Sequence, residues 1–446
     1  MCIGYTASHF GEIRVTDPVA VIVFLLSAAA GCVFVYIFLR KYGARRQNAD
    51  AKDVPASSVK LRPALTFGIV FICWVPVFLA EFPGFFVYDA ADEYVSVATR
   101  EFTTHHPLLH TLLLGGAVRA GEVYAGSANA GIAAYILIQM VIMALLFTWI
   151  IHRMRRAYFF GLLWYGLFPT VVMFVLCSVK DTLFAGALTA AVILAVIWLK
   201  GHNKNRRDFV LMLLALYLMM LMRHNGVYAY IVFACILSGY FAATNKCVFI
   251  RRIAPAMCMA AVLVIYGVTD MGLTALTHAS DAEHQEMLSV PIQQIARTWN
   301  KYPEDFSEGD RTVLHSMLSE DTLKHYTPEL SDPVKSGFDN SAYEASPSLF
   351  WQLWFKQLGL HPGSYLNAWI DTSYGYYYPL AVVNVYAGHS VYTYTYTESS
   401  YFGYEVEYPG ERLSLIPVID RFYRWLSLDD DIQKIPVISL FFSMAA

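Results

Sequence analysis

Basic residues recur at every second break between apolar stretches, and that alternation limits the fold more than any other feature of the chain. Apolar runs long enough to cross a bilayer, which takes roughly 20 residues per helix, fall at 18–40, 63–81, 130–151, 157–177, 182–199, 208–222, 226–244 and 253–272. Lys41, Arg45, Arg46, Lys52, Lys60 and Arg62 separate the first two runs, and His152-Arg-Met-Arg-Arg156 follows the third. Lys200, Lys204, Arg206 and Arg207 follow the fifth, and Lys246, Arg251 and Arg252 follow the seventh. Basic loops stay on the cytoplasmic side. The pattern therefore predicts an up-and-down helical membrane protein of eight or more spans with its N-terminus outside.

Composition agrees with that reading. Charged residues make up 15% and hydrophobic residues 57% of the chain, against roughly 25% charged in a soluble domain. A net charge of -3 gives no reason to expect nucleic acid as a partner. None of the seven cysteines lies beyond residue 270, and no CxxC pair occurs, so neither a disulfide framework in the polar C-terminal region nor a ribbon-type zinc site is expected.

The chain divides into four parts on this reading. Residues 1–62 hold an extra N-terminal span and a basic cytoplasmic loop. Residues 63–272 form the membrane core, with a first outer loop at 82–129. Residues 273–434 form an outer region, expected to be mixed α/β. Helical spacing appears at 276–297 and at 349–370, broken by His361-Pro-Gly363, whereas Val391-Tyr-Thr-Tyr-Thr-Tyr-Thr397 is β-prone. Residues 435–446 read as the opening of a further, truncated span.

Chemistry is concentrated at the outer ends of the spans. The first outer loop carries Asp89, Asp92, Glu93 and Glu101, then His105, His106 and His110. A carboxylate there can act as a general base toward a hydroxyl, although acids are ordinary in a solvated loop. His106 and His110 have the spacing of zinc ligands on one helix face, but no HExxH glutamate accompanies them. No metal ligand is therefore assigned, and a helix start at which His105 or His106 bonds substrate or loop is the simpler expectation. Ser178-Val-Lys180-Asp181 and Arg223-His224-Asn225-Gly226 each join two apolar runs with almost no loop. Charges so close to hydrocarbon are expensive and are usually functional or paired. Lys180 could simply neutralise Asp181; alternatively, Lys180 and Arg223 could hold a phosphate, Lys as a point charge and Arg by a bidentate contact. In the outer region, Gln293, Gln294 and Arg297 follow Pro291 on an expected helix, and Ser331-Asp332-Pro333-Val-Lys335 reads as a turn. The plain reading of both is structural; Gln293 and Arg297 are also candidate substrate contacts.

In order, PGFFVYDAADEY, HHPLLHTLL, SVKD, RHNG, PIQQIAR and SDPVK resemble the bacterial membrane-protein family called domain of unknown function 6020, from about Leu61 to the C-terminus. That family's architecture is similar to GT-C-fold glycosyltransferases, multi-span enzymes that take sugar from a polyprenyl-phosphate donor at the extracytoplasmic face. The resemblance implies Asp89 as catalytic base, with Asp92 and Glu93 as fallbacks. Lys180, Arg223 and His224 would form a lipid-phosphate clamp, within a substrate-binding set that also takes in His105, His106, Asp181, Asn225, Gln293 and Arg297. It implies a polyprenyl-phosphate sugar donor, a glycan, polymer or protein acceptor, and the bacterial plasma membrane as location. No cofactor is fixed, and a divalent cation stays open. The extra span at 18–40 departs from the pattern. Two rivals use the same residues: a transporter or flippase for lipid-linked envelope precursors, and a non-catalytic envelope scaffold. Motifs of serine or zinc hydrolases are missing from any suitable outward position.

Overall fold

Seven of the eight apolar runs read from the sequence each form one helix, and the run 157–177 forms two. The computed structural model describes residues 2–14, 16–49, 61–154, 157–200, 205–244, 249–281, 283–376, 378, 409–411 and 413–428. In chain order these begin with α1 (Cys2–Phe10), α2 (Pro18–Ala49), α3 (Pro63–Ala80), α4 (Tyr88–Thr99), α5 (Leu108–Ala125) and α6 (Ala128–Ile151). There follow α7 (Tyr158–Leu167), α8 (Pro169–Val175), α9 (Lys180–Lys200), α10 (Arg206–Met222), α11 (Gly226–Thr244) and α12 (Phe249–Thr277). The helices α13 (His284–Met287), α14 (Ser289–Lys301), α15 (Glu308–Met317), α16 (Glu320–Lys324), α17 (Asp332–Lys335), α18 (Asn340–Ala345), α19 (Pro347–Leu360), α20 (Pro362–Ser373) and α21 (Pro417–Leu428) complete the set.

Among the described residues five helices are long and apolar enough to cross a membrane: Pro18–Ile37, Pro63–Ala80, Ala128–Ile151, Lys180–Leu199 and Ala254–Thr277. The α7–α8 pair makes a sixth if it counts as one span bent by 59°. The bend has a local cause. Pro169 brings no N–H to the helix ladder, and it holds the preceding Phe168 in extended backbone (φ -67, ψ 118). The window in α2 is only 6% buried and that in α12 only 11%, with Ile22, Leu26, Val264 and Val268 among the side chains left outside. Lipid is the solvent such surfaces require. This is a multi-pass helical membrane protein.

The chain separates into two units. One comprises 58–281 with 389–428, the other 1–57 with 282–388 and 429–446. In the first, α5 and α6 approach through glycine: a Cβ on Gly131 would lie 2.2 Å from the Ala117 carbonyl oxygen, and one on Gly121 2.3 Å from the Gly131 nitrogen. A second core joins Ala191, Leu194 and Trp198 of α9 to Met212, Leu216 and Met219 of α10, with Tyr230 and Leu237 of α11 and Met259 of α12. The strap at 409–428 returns to α3: Leu413 pairs with Phe82, Leu415 donates to the Leu79 carbonyl at 3.0 Å, and α21 packs along α3.

In the second unit, Ile292, Ile295 and Ala296 on one face of α14 meet Leu314, Met317, Leu323, Val334, Phe338 and Phe350. The N-terminal α1 belongs here, with Ala7 packed among Ile370, Tyr374 and Tyr378. The expected mixed α/β region is not found. Among the described residues 283–376 form helices and their connections, and no sheet forms, only isolated bridges such as Leu318 with Phe338. The β-prone run 391–397 and the apolar end 435–446 lie outside the described residues. Three finer expectations also change. The helix read at 276–297 is broken between Thr277 and His284, the turn at 331–335 is one turn of helix (α17), and the first outer loop is itself largely the two helices α4 and α5.

Candidate functional site

The loop after α3 is tied to the link before α9 by a short parallel bridge. Phe85 donates to the Leu176 carbonyl at 2.9 Å, and both the backbone N–H and the hydroxyl of Ser178 donate to the Phe85 carbonyl, at 2.9 and 3.0 Å. The approach depends on Gly84. Its φ is +124°, and a Cβ there would sit 2.8 Å from Ile136 Cγ1 and 3.0 Å from the Leu176 carbonyl oxygen. This bridge sets the first turn of α4 against the first residue of α9, so Asp89 forms an ion pair with Lys180. A second parallel bridge, Thr103 with Ser280, holds the histidine loop to the chain leaving α12. In it Ser280 donates to the Phe102 carbonyl and Thr104 to the Ser280 carbonyl, both at 2.9 Å.

Lys180 Nζ also lies 3.1 Å from His106 Nδ1. An ammonium only donates, so Nδ1 accepts, and neutral His106 carries its proton on Nε2. His106 is 7% exposed, and its Nε2 has no hydrogen-bond partner. Burial first, and Lys180 second, hold His106 below the usual imidazole range. Beside Lys180, Asp181 pairs with Arg223 at the end of α10, and the guanidinium lies 5.9 Å from the Phe184 ring centre. The expectation that Lys180 might neutralise Asp181 is therefore corrected: each has a different partner. His224, next in sequence, is half-buried with Nε2 unpartnered. Burial lowers its pKa, opposed by Asp270 and by the backbones of His106 and Thr104.

The two aspartates on α4 differ. Burial pushes Asp89 upward, but the Lys180 ammonium outweighs it and leaves the carboxyl below its ordinary value. Asp92 has no such partner. Burial first, then the neighbouring Asp89 and Glu93, raise it to about 6 against the opposite pull of His105 and Lys180. Glu93 is fully buried and accepts from His110 Nδ1 at 2.5 Å. His110 Nε2 meets the Tyr135 hydroxyl at 2.8 Å, which lies 3.3 Å from Gln139 Oε1, and Gln139 Nε2 donates to the Val175 and Cys177 carbonyls, each at 2.8 Å. Glu93 and His110 are thus a strut beneath the site, fixing α4 one turn beyond Asp89 and reaching the link that carries Lys180. His106 and His110 do not share a helix face toward a ligand. His106 precedes α5, and only His110 lies on it, turned to Glu93.

His105 is exposed, its ring edge-on to His106 at 4.5 Å, and Asn225 is exposed at the start of α11. Gln293 and Arg297 belong to the other unit and are bonded within it, although Gln293 Oε1 and Arg297 Nε are buried without partners. Gln293 Nε2 donates to the Thr327 and Leu330 carbonyls. Arg297 pairs with Asp371 at 2.6 Å and donates to the Tyr326 hydroxyl at 3.1 Å and the Gly11 carbonyl at 2.5 Å. Among the described residues no group of three His, Cys, Asp or Glu side chains is arranged to hold a metal. Sequence reading missed Tyr135 and Gln139. Gln139, an amide inside a long apolar run, was the available signal.

Fold and site together define a multi-pass membrane protein with paired charges gathered where α3, α8, α10 and α12 end. The chain belongs to the Family of unknown function (DUF6020), whose model matches residues 81–409, from the end of α3 through the whole site. Neither a curated protein nor a solved structure matches it.

Proposed function

We propose that the protein is a GT-C-like glycosyltransferase that moves a sugar from a polyprenyl-phosphate donor to a cell-envelope acceptor at the outer face of the bacterial plasma membrane. The observation that carries this reading is the meeting of Asp89, from the loop after the first core span, with Lys180 and the Asp181–Arg223 pair at one set of helix ends. An acceptor hydroxyl would attack the anomeric carbon, its proton passing to Asp89. The bond from that carbon to the phosphate oxygen would break, and the polyprenyl phosphate would leave with its added negative charge facing Lys180 and Arg223. Asp92, with its pKa near 6, is the second candidate base.

Sidedness has two supports. Arg153 just after α6, Lys200 at the end of α9, and Arg251 and Arg252 in the first turn of α12 lie at the helix ends away from the site, and they are among the basic residues expected in the cytoplasm. The contact of Arg223 with Asp181 needs α10 to run back along α9, about 31 Å long at 1.5 Å per residue. The Thr103–Ser280 bridge needs α12 to return likewise. In the other unit α1 packs on α20, so residues before α2 and after α12 share a compartment and an even number of crossings separates them. Eight spans, with α7–α8 as one and α10 and α11 both crossing, meet every one of these conditions.

The test is release of polyprenyl phosphate from a panel of polyprenyl-phosphate sugars by the reconstituted full chain. Asp89→Asn is expected to lose about 10²–10⁴-fold in rate, the range of a general base. Full transfer by that variant would remove the core of the reading. A flippase would instead move the donor between leaflets with no bond broken. Its one support is the polar chain reaching Gln139 within α6, and that chain ends on backbone carbonyls.

A further inference from the structure

Both cations that a phosphate would need are already matched by carboxylates, Lys180 by Asp89 and Arg223 by Asp181. With Asp92 beside them, the site offers an incoming anion no net positive charge. An anion at Lys180 must therefore compete with a carboxylate, because like charges a few ångströms apart repel strongly in a partly desolvated pocket. Of the two carboxylates, Asp89 is the one with a path to solvent: its side chain is 35% exposed, against 17% for Asp181. His106, buried beside the pair, accepts from the same ammonium through Nδ1 and so steadies Lys180, while its Nε2–H faces away from that ammonium.

We propose that Asp89 is an internal competitor for the phosphate site: a phosphate monoester takes the Lys180 ammonium, and its arrival releases Asp89 from Lys180. No covalent bond changes; one ion pair is exchanged for another. The consequence is timing. The acid that would act as base is neutralised by Lys180 until the donor's phosphate claims that cation, and it then stands as an unpaired carboxylate beside the bound headgroup. This rests on reading the pocket as a phosphate site, and the two ideas fail differently.

The experiment is equilibrium binding of farnesyl phosphate to the detergent-solubilised full chain, with inorganic phosphate and farnesol as separate arms. Removing the competing charge in Asp89→Asn is expected to tighten farnesyl phosphate roughly tenfold, and Asp89→Ser likewise, should the amide itself perturb the site. Asp89→Glu, which keeps the carboxylate, is expected to stay near the natural affinity. Lys180→Met and His106→Ala are expected to weaken binding, the former by about tenfold or more. If Lys180→Met weakens binding but both neutral variants at 89 leave it unchanged or weaker, the competition is overturned and the phosphate reading stands. If Lys180→Met and Arg223→Met both leave binding untouched, the phosphate reading itself falls. An equal gain for farnesol would assign the effect to apolar packing and overturn the proposal. Equal affinity and equal gain for inorganic phosphate would uphold the competition and identify free phosphate as the ligand.

Discussion

Lys180–Asp89 and Arg297–Asp371 are both ion pairs between a cation and an aspartate far apart in sequence, yet their surroundings differ. Arg297 and Asp371 are 9% and 1% exposed, and both terminal nitrogens of the guanidinium are bonded, to Asp371, Tyr326 and the Gly11 carbonyl. That pair joins α14, α20 and the stretch after α1 into one unit. Lys180 and Asp89 are 13% and 35% exposed, with an unpartnered imidazole nitrogen beside them. Arg297 keeps a buried Nε without a partner, but its carboxylate is too deeply buried to leave it, whereas Lys180 faces a carboxylate that is partly exposed and can exchange partners.

That contrast can be broken most directly by stability. Arg297→Leu leaves Asp371 buried without its counter-charge and is expected to cost about 3–5 kcal/mol. Lys180→Met, whose partner reaches water, should cost about 1 kcal/mol. Thermal unfolding of the full chain in detergent compares them, and equal losses would end the distinction. Next in size is the strut under α4. His110→Ala strands the Glu93 carboxylate and should cost about 2 kcal/mol, and it should also tighten farnesyl phosphate binding by letting Asp89 drift from Lys180.

Asp92 sharpens the comparison through pH. Its folded pKa of about 6 lies above the ordinary 3.8, so the folded chain holds its proton more tightly than the unfolded chain. The unfavourable contribution is absent below pH 3.8 and develops as pH rises through 6. Asp92→Asn should therefore raise the melting temperature at pH 7.5 and change it little at pH 4; a gain of the same size at both would contradict the assignment. The smallest effect belongs to Lys301–Glu12, 42% and 24% exposed, where Lys301→Ala should change stability by less than about 1 kcal/mol.

The apolar runs were legible because a bilayer demands about 20 apolar residues for each crossing. Seven became single helices and 157–177 became the bent α7–α8 pair. Among the described residues five helices, or six with that pair, are long and apolar enough to cross. The α7–α8 bend was written in Pro169 but is lost when a run is judged by average hydropathy. The strand expectation rested on the Tyr-rich run 391–397, a local β-propensity outside the described residues, while the helices from α13 to α20 were set by the apolar faces they bury together. The site was half legible. Asp89, Lys180 and Arg223 stood out as charges beside hydrocarbon, and the strength of that signal is physical. Their pairing was not legible, because it depends on bridges such as Phe85–Cys177 that join segments about ninety residues apart. Sequence set Lys180 beside hydrocarbon and gave Arg297 a structural reading, yet kept both as candidate substrate contacts; burial and bonding tell them apart.

The measurement closest to the central claim is accessibility in intact cells. Single cysteines at Asp89, His105 and Arg223, placed in a chain whose seven native cysteines are replaced, are treated with a membrane-impermeant maleimide. A shared outer pocket requires all three to be labelled before the cells are permeabilised. Labelling of any one of them only after permeabilisation would place it in the other compartment and contradict the account.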